Sequence, residues 1–378
     1  MRTILFVNQT AALGGAETSL FELAGALDPA VFRAVVALPG PGPLEEALRG
    51  RGVPVVHVPM GRLRKSVNPV RLALALRGLQ RCAGALRRVA AAHGAEVIHA
   101  NSDTAHIYTA WALHGRAPLV WHSRDLVSLG PAGGWMFRRA AAVIAISDCV
   151  RRRLTAYADR PDRLVTIRNG IDLTRFRAAG RRAEARAGLG LAPDAVAVGM
   201  VAHLVPWKRH DLFLEAGARL AARLPGLRLV IAGDDVFGDG RGYGDALRGL
   251  ARRLGLSERV VFAGAVHDPA ALIEGLDVLV HPAAREPFGR VIVEAMAVGT
   301  PVVAVDACGP AEIVRHGIDG MLAAPGSADA LAAAVELLCA DPGLRARLCQ
   351  AAARRVAEAF DVRRVAAEVQ ALYDGLRK

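Results

Sequence analysis

Nowhere does the sequence approach the roughly 20 consecutive apolar residues that a bilayer-spanning helix needs. Its longest apolar runs, such as Ala140 to Ile146, are strand-sized. No secretory leader is expected at the start, because Arg2 is followed almost at once by the short run ILFV and then by polar residues. Cys82, Cys149, Cys308, Cys339 and Cys349 are scattered, odd in number and without metal-ligand spacing, so a reducing, cytoplasmic setting is expected. Aromatics make up only 5% of residues and no basic motif has aromatics interleaved, which argues against a nucleic-acid-binding protein. No G-x-G-x-x-G follows a strand pattern and no G-x-x-x-x-G-K-[ST] occurs, so neither the dinucleotide fingerprint nor the P-loop is present.

What is abundant is apolar strand. With 53% hydrophobic residues in 378, two domains and two cores are the expectation. Short runs alternate with helical patterns: ILFV at Ile4, AVVAL at Ala34, VVHV at Val55, EVIHA at Glu96, LVWH at Leu119 and AVIAIS at Ala142. A second series follows, with VAVGMVA at Val196, LRLVIAG at Leu227, VVFAG at Val260, VLVHP at Val278 and PVVAVD at Pro301. Continuous β-branched runs between helices belong to parallel sheets buried on both faces. Two series of about six and five strands predict two doubly wound α/β domains. The break is expected after the turn dipeptide Asn169-Gly170 and before Val196, across the polar, Arg-rich stretch from Arg177 to Ala187. Val365, Val369, Leu372 and Leu376 give the last segment, Val362 to Leu376, one apolar helical face.

The net charge of +12 is unevenly placed: residues 1–180 hold 24 of the 48 basic residues and 12 of the 36 acids, and the remainder holds 24 of each. All of the excess lies in the first half, which suits an anionic surface or ligand, or an Arg-using soluble face.

Residues 281–304, HPAAREPFGRVIVEAMAVGTPVVA, carry the most chemistry. Glu286 stands in a Pro/Phe/Gly loop, and Glu294 falls about one and a half turns inside a helix that starts near Gly289. Carboxylates accept from sugar hydroxyls, while the free amides of a helix start favour an anion, so the pair suits a polyhydroxy, anionic ligand. This segment resembles the donor-binding signature of the retaining nucleotide-sugar glycosyltransferases of family 4, at Glu286, Pro287, Phe288, Gly289, Glu294, Ala295, Met296, Ala297, Gly299, Pro301, Val302 and Val303. GGAE at Gly14 to Glu17, RNGIDLTRF at Arg168 to Phe176 and MVAHLVPWKRHDLFLEA at Met200 to Ala216 appear in family order, so the resemblance covers nearly the whole chain.

The resemblance implies a GT-B fold: two doubly wound Rossmann-like domains facing across a cleft, at 1–176 for the acceptor and 177–360 for the nucleotide-sugar. Residues 361–378 would be a helix crossing back to the first domain. It implies transfer of a sugar, from a UDP-sugar ahead of a GDP-sugar, to an acceptor hydroxyl with retention. His122, Glu286 and Lys208 would be the catalytic residues, with Glu286 on the sugar and Glu294 on the ribose. Gly14, Gly15, His203, Lys208, Arg209, Gly264, Val266, Phe288 and Gly289 would complete the donor site. Asn101, Asp103, Arg124 and Asp125 would lie on the acceptor side, and Asn169 and Asp172 in the interdomain turn. No Asp-x-Asp stands in the relevant context and no His/Cys cluster has metal spacing, so catalysis with no metal or other cofactor is expected, backbone amides and Lys208 stabilising the leaving diphosphate.

One departure from the family is His203, where most members have an Arg. Protonation of this His, or a substitute charge from Arg209, are the alternatives for the missing cation. A nucleotide-sugar epimerase of the same architecture and a basic nucleic-acid-binding protein are the competing functions. The segment from Gly61 to His93 carries Arg62, Arg64, Lys65, Arg71, Arg77, Arg81, Arg87 and Arg88 and no acid, with Leu72, Leu76, Leu79, Leu86 and Val89 at helical spacing. It would serve either as a peripheral membrane contact at the inner face or as a core-packed helix with solvated arginines; lacking Trp or Phe anchors, it reads as the second.

Overall fold

The computed structural model describes residues 1–61, 69–266 and 268–376 and divides into two compact units, Met1–Gly170 with Val362–Lys378, and Ile171–Asp361. In the first, seven parallel strands form one sheet: β1 (Arg2–Val7), β2 (Phe32–Leu38), β3 (Val55–His57), β4 (Ala95–Ala100), β5 (Leu119–Ser123), β6 (Ala142–Ala145) and β7 (Leu164–Thr166), in the order β3-β2-β1-β4-β5-β6-β7. The side-chain period of two sends Ile4 and Phe6 of β1 into one core layer and Leu5 and Val7 into the other, so apolar residues at every position give a sheet covered on both faces. One layer is closed by helix Gly15–Ala26 through Leu20 and Leu23, and by the last helix, Val362–Gly375, through Val365, Ala366, Val369 and Tyr373. The other is closed by helices Pro69–Ala92 and Asp103–Leu113.

The second unit repeats the scheme with β8 (Val196–Val201), β9 (Leu227–Ala232), β10 (Val260–Gly264), β11 (Val278–His281), β12 (Val302–Val305) and β13 (Met321–Ala323), all parallel, in the order β10-β9-β8-β11-β12-β13. Strand order reverses direction between β1 and β4 in one sheet and between β8 and β11 in the other. At those two places the loops leaving neighbouring strands run to opposite faces, opening the crevice in which open α/β sheets bind ligands.

Three expectations need correction. Seven and six strands replace six and five: the additional β7 and β13 are three-residue edge strands, too short to stand out as apolar runs. The change of unit comes at Gly170/Ile171, directly after the turn dipeptide Asn169-Gly170 as that signal suggests, and only the finer 176/177 bound moves, because Ile171 already pairs with Asp361 of the second unit. A Cβ on Gly170 would come within 2.6 Å of Val362 Cα, so the absence of a side chain lets the departing and returning strands of chain pass. The Arg-rich stretch after Arg177 is not a linker: Arg182–Gly188 is a helix, and Arg182 and Arg186 both bind Asp277 (2.6 and 3.2 Å).

Within helix Pro69–Ala92, Cys82, Ala83, Ala85 and Leu86 are buried in the core, while Arg77, Arg81, Arg87 and Arg88 are exposed. Arg62, Arg64 and Lys65, and the side chains of Arg71 and Leu72, lie outside the described residues.

Candidate functional site

In the second unit the loops after β8 and β11 leave neighbouring strands at the reversal point and bring two distant segments together. Lys208 Nζ is paired with Glu286 Oε2, and His281, the last residue of β11, places its Nε2 3.1 Å from the same oxygen. Glu286 and His281 are buried and Lys208 is half-buried. Burial alone would raise the Glu286 carboxyl, but the Lys208 cation and the hydrogen bond from His281 outweigh it and hold the group well below the usual carboxylate range. The result is a fixed, ionised carboxylate with a cation at its side.

The loop that carries Glu286 is shaped by glycine at two places. Gly289 caps helix Arg290–Val298 in the left-handed region (φ 104°), where a Cβ would be strained. Gly309 packs flat on Phe288, where a Cβ would lie 2.4 Å from both its Cα and its carbonyl oxygen, and the Gly309 amide donates to the Glu286 carbonyl (3.1 Å). Phe288 is anchored edge-on to Phe360, with ring centroids 5.9 Å apart. Glu294, one turn along the helix from Arg290, accepts from its Nη2 at 3.1 Å, both side chains being buried.

His203 lies in the loop after β8, tilted against Phe237 with centroids 5.3 Å apart. Burial, followed by the nearby Lys208 charge, lowers its pKa, so the imidazole is neutral at pH 7. Both influences disfavour a protonated His203 in the ligand-free protein. Arg209 has its guanidinium Nε on both oxygens of Asp211 (3.1 Å each), so its charge is committed locally. Gly264, at the end of β10, is exposed with φ 68°, and Val266 beyond it is half-buried.

The first unit gathers its candidates at its own reversal point. Gly14 and Gly15 open helix Gly15–Ala26, Gly15 being exposed; the Gly14 dihedrals (φ −122°, ψ −173°) are ones any residue adopts. Asn8, after β1, accepts from Asn101 Nδ2, after β4, at 2.9 Å. Arg124, after β5, reaches Asn101 Oδ1 (2.9 Å), Asn169 Oδ1 (2.6 Å) and His122 Nδ1 (3.2 Å). Asp103 accepts from Trp121 Nε1 (3.1 Å), Ser123 Oγ (2.6 Å) and Arg153 Nη1 (2.9 Å). Asn101, Asp103 and Arg124 are thus buried and engage the chain's own groups, whereas Asp125 is exposed. Asp172 turns inward on its own loop, accepting from Thr174 Oγ1 at 2.6 Å. His122 is 2% exposed, and its Nε2 has no hydrogen-bond partner among the described residues.

Two sequence families meet in these halves. Residues 13–175 match the model described as Glycosyltransferase Family 4, and residues 181–355 match Glycosyl transferases group 1. The chain belongs to glycosyltransferase family 4. Its architecture is the family's GT-B fold. The D-inositol 3-phosphate glycosyltransferase of Actinosynnema mirum is 38% identical over 220 residues, which are 55% of this chain and 51% of that protein. The Mycobacterium marinum enzyme of the same name is 35% identical over 221 residues, 58% and 46% respectively. The chain spans about half the length of the curated relatives it matches. Among solved structures, Anabaena Alr3699/HepE in complex with UDP and glucose superposes with a TM-score of 0.84 and 29% identity over 99% of this chain and 100% of that one. Sucrose-phosphate synthase of Thermosynechococcus elongatus shares the fold, with a TM-score of 0.81 at 23% identity, covering 100% and 99%.

Three participants escaped the sequence reading of this family 4 chain. His281 stood within the signature segment, five residues before Glu286, without a role. His99 sits on β4, beside β5 and His122, and a pair of histidines on adjacent strand patterns was the signal available. Tyr373, 274 residues from His99, left no local signal.

Proposed function

We propose that this protein is a retaining glycosyltransferase that moves a sugar from a UDP-sugar to an acceptor hydroxyl. The observation that carries this reading is the Lys208–Glu286–His281 cluster at the strand-order reversal of the second unit, with Glu294 on the helix that follows. An ionised carboxylate beside a cation suits a ligand with hydroxyls at one end and a diphosphate at the other. UDP is favoured over GDP because HepE, the similar structure, binds UDP, UDP-glucose and glucose.

In this reading Glu286 orients the sugar, Glu294 accepts from the ribose hydroxyls, and Gly264 and Val266 face the base with backbone groups. Lys208 compensates the charge that develops on the leaving diphosphate, with no metal ion. The anomeric carbon loses its bond to the diphosphate oxygen as it gains one to the acceptor oxygen on the same face, and the acceptor's proton leaves with the phosphate. The donor is held mainly by the second unit, and an acceptor sugar, lipid-linked or small-molecule hydroxyl by the first. We place the reaction in the cytoplasm, where nucleotide donors are formed.

Mass spectrometry of products from UDP-, GDP- and dTDP-sugars with cell-extract acceptors tests the reaction, and the anomeric configuration of the product by NMR tests retention. No transfer from any donor would overturn the activity; an inverted anomeric centre would overturn the stereochemistry alone.

A further inference from the structure

Four side chains from three distant parts of the first unit form a single chain of hydrogen bonds: Tyr373 on the last helix, His99 on β4, His122 on β5 and Arg124 just beyond it. Tyr373 Oη lies 2.6 Å from His99 Nδ1, His99 Nε2 lies 3.1 Å from His122 Nδ1, and Arg124 Nη2 lies 3.2 Å from that same His122 nitrogen. All four residues are buried. Hydrogen positions in such a network follow from which groups can only donate.

A guanidinium has no acceptor, so Arg124 donates and His122 Nδ1 must present its lone pair. The Nδ1 lone pair then also receives the hydrogen on His99 Nε2. With that hydrogen on Nε2, a neutral His99 has its lone pair at Nδ1, where the Tyr373 hydroxyl donates. Direction is therefore set along the whole chain, from the Tyr373 hydroxyl through His99 to His122. The hydrogen of His122 is left on Nε2, the ring nitrogen that meets no partner among the described residues.

We propose that Tyr373 and His99 are positioning residues that lock His122 as the Nε2–H tautomer, making it a hydrogen-bond donor and not a base toward the substrate. This rests on the expectation, carried by the family resemblance, that His122 is a catalytic residue that meets the substrate. It gives the last helix a part in the chemistry of the first unit: a side chain contributed by residues 362–375 determines which nitrogen of a β5 histidine carries the proton. It also assigns the substrate group that meets His122 Nε2, an oxygen with a free lone pair, such as a sugar hydroxyl or a phosphate oxygen, and not an N–H.

The test uses the full chain with 15N-labelled histidine, without ligand, near neutral pH. Long-range proton–nitrogen spectra separate protonated from lone-pair ring nitrogens, and the signals lost in His99→Asn and His122→Asn assign the two rings. Both are expected to show hydrogen on Nε2 and a hydrogen-bonded lone pair on Nδ1. Tyr373→Phe should shift the His99 Nδ1 signal toward a free lone pair and mix in the second tautomer, lowering turnover several-fold with UDP affinity unchanged. Should Tyr373→Phe not fold, the wild-type spectrum decides alone. An Nδ1–H on either ring of the wild type, or imidazole signals left unaltered by Tyr373→Phe, would overturn the inference. The spectra do not depend on substrate, so they stand apart from the site reading, which fails separately if His122→Ala turns over like the wild type.

Discussion

Replacing Lys208 by Met strikes the cluster where its balance is most exposed. Lys208 and Glu286 are in contact with side-chain exposures of 12% and 9%, so solvent screens the pair little. For a contact pair about 3 Å apart at an effective dielectric of about 20, the Coulomb attraction is about 5 kcal/mol, of which desolvation of the two ions cancels a large part. Removing one partner of a buried pair typically costs about 3–5 kcal/mol because the other charge stays behind. Here His281, 3.1 Å from the carboxylate, remains to hold it, which places the loss near the lower end, about 3 kcal/mol. Glu286→Gln leaves an amide that can still accept from Lys208 and should cost less. In Lys208→Met/Glu286→Gln neither charge is stranded, so the double variant should recover at least about 1 kcal/mol over the sum of the singles. Denaturant unfolding, followed through the transition of the second unit, measures all three variants. Additivity within about 0.5 kcal/mol would show that the two side chains are not energetically coupled and would refute the reasoning.

Other consequences can be measured directly. The stability contributed by ionised Glu286 is complete above the unfolded carboxyl's 4.5 and drains away as pH falls below it toward the depressed folded value. The stability gap between wild type and Glu286→Gln should therefore hold from pH 8 to 6 and narrow below about pH 4.5; a gap unchanged down to pH 3.5 would contradict this. His203 is held neutral by burial and by Lys208, so UDP affinity measured by calorimetry should be flat from pH 7 to 9. A fall in affinity over that range would mean that bound diphosphate protonates it. Glu294→Ala should weaken UDP binding by about 1.5–3 kcal/mol, the loss of a charge-assisted hydrogen bond, and near-normal affinity would remove the ribose role. Gly309→Ala drives a methyl into the Phe288 backbone and should cost about 1–3 kcal/mol of stability together with turnover; a variant as stable and active as the wild type would show that the loop can simply move aside.

The two sheets could be read from the sequence because strands buried on both faces announce themselves as uninterrupted apolar runs. β7 and β13 could not, since three residues at a sheet edge carry too little pattern to separate from a loop. Lys208 and Glu286 were each singled out, but their direct pairing was not, for it depends on β8 and β11 being neighbours across 78 residues of chain. Arg124 looked like a surface-loop group offering its charge to a ligand. Its buried, fully engaged guanidinium follows from Asn101 and Asn169 converging on it, which no local window contains. The His203 question turned on burial and on the distance to another cation, and neither quantity exists before the chain is folded.

The first unit is assembled from two separated stretches, Met1–Gly170 and Val362–Lys378, whereas the second is one continuous stretch, Ile171–Asp361. During synthesis the second unit can close its core as soon as its last residue emerges. The first, although its sheet is made earliest, must wait for Val365, Ala366, Val369 and Tyr373 to fill the layer against Ile4, Phe6 and Val36. Until then it is a sheet with an apolar face open to water, which makes the interval before the last helix docks the period in which a growing chain is most exposed to misassociation. A stop codon near residue 361 would accordingly injure the first unit although it leaves the second whole.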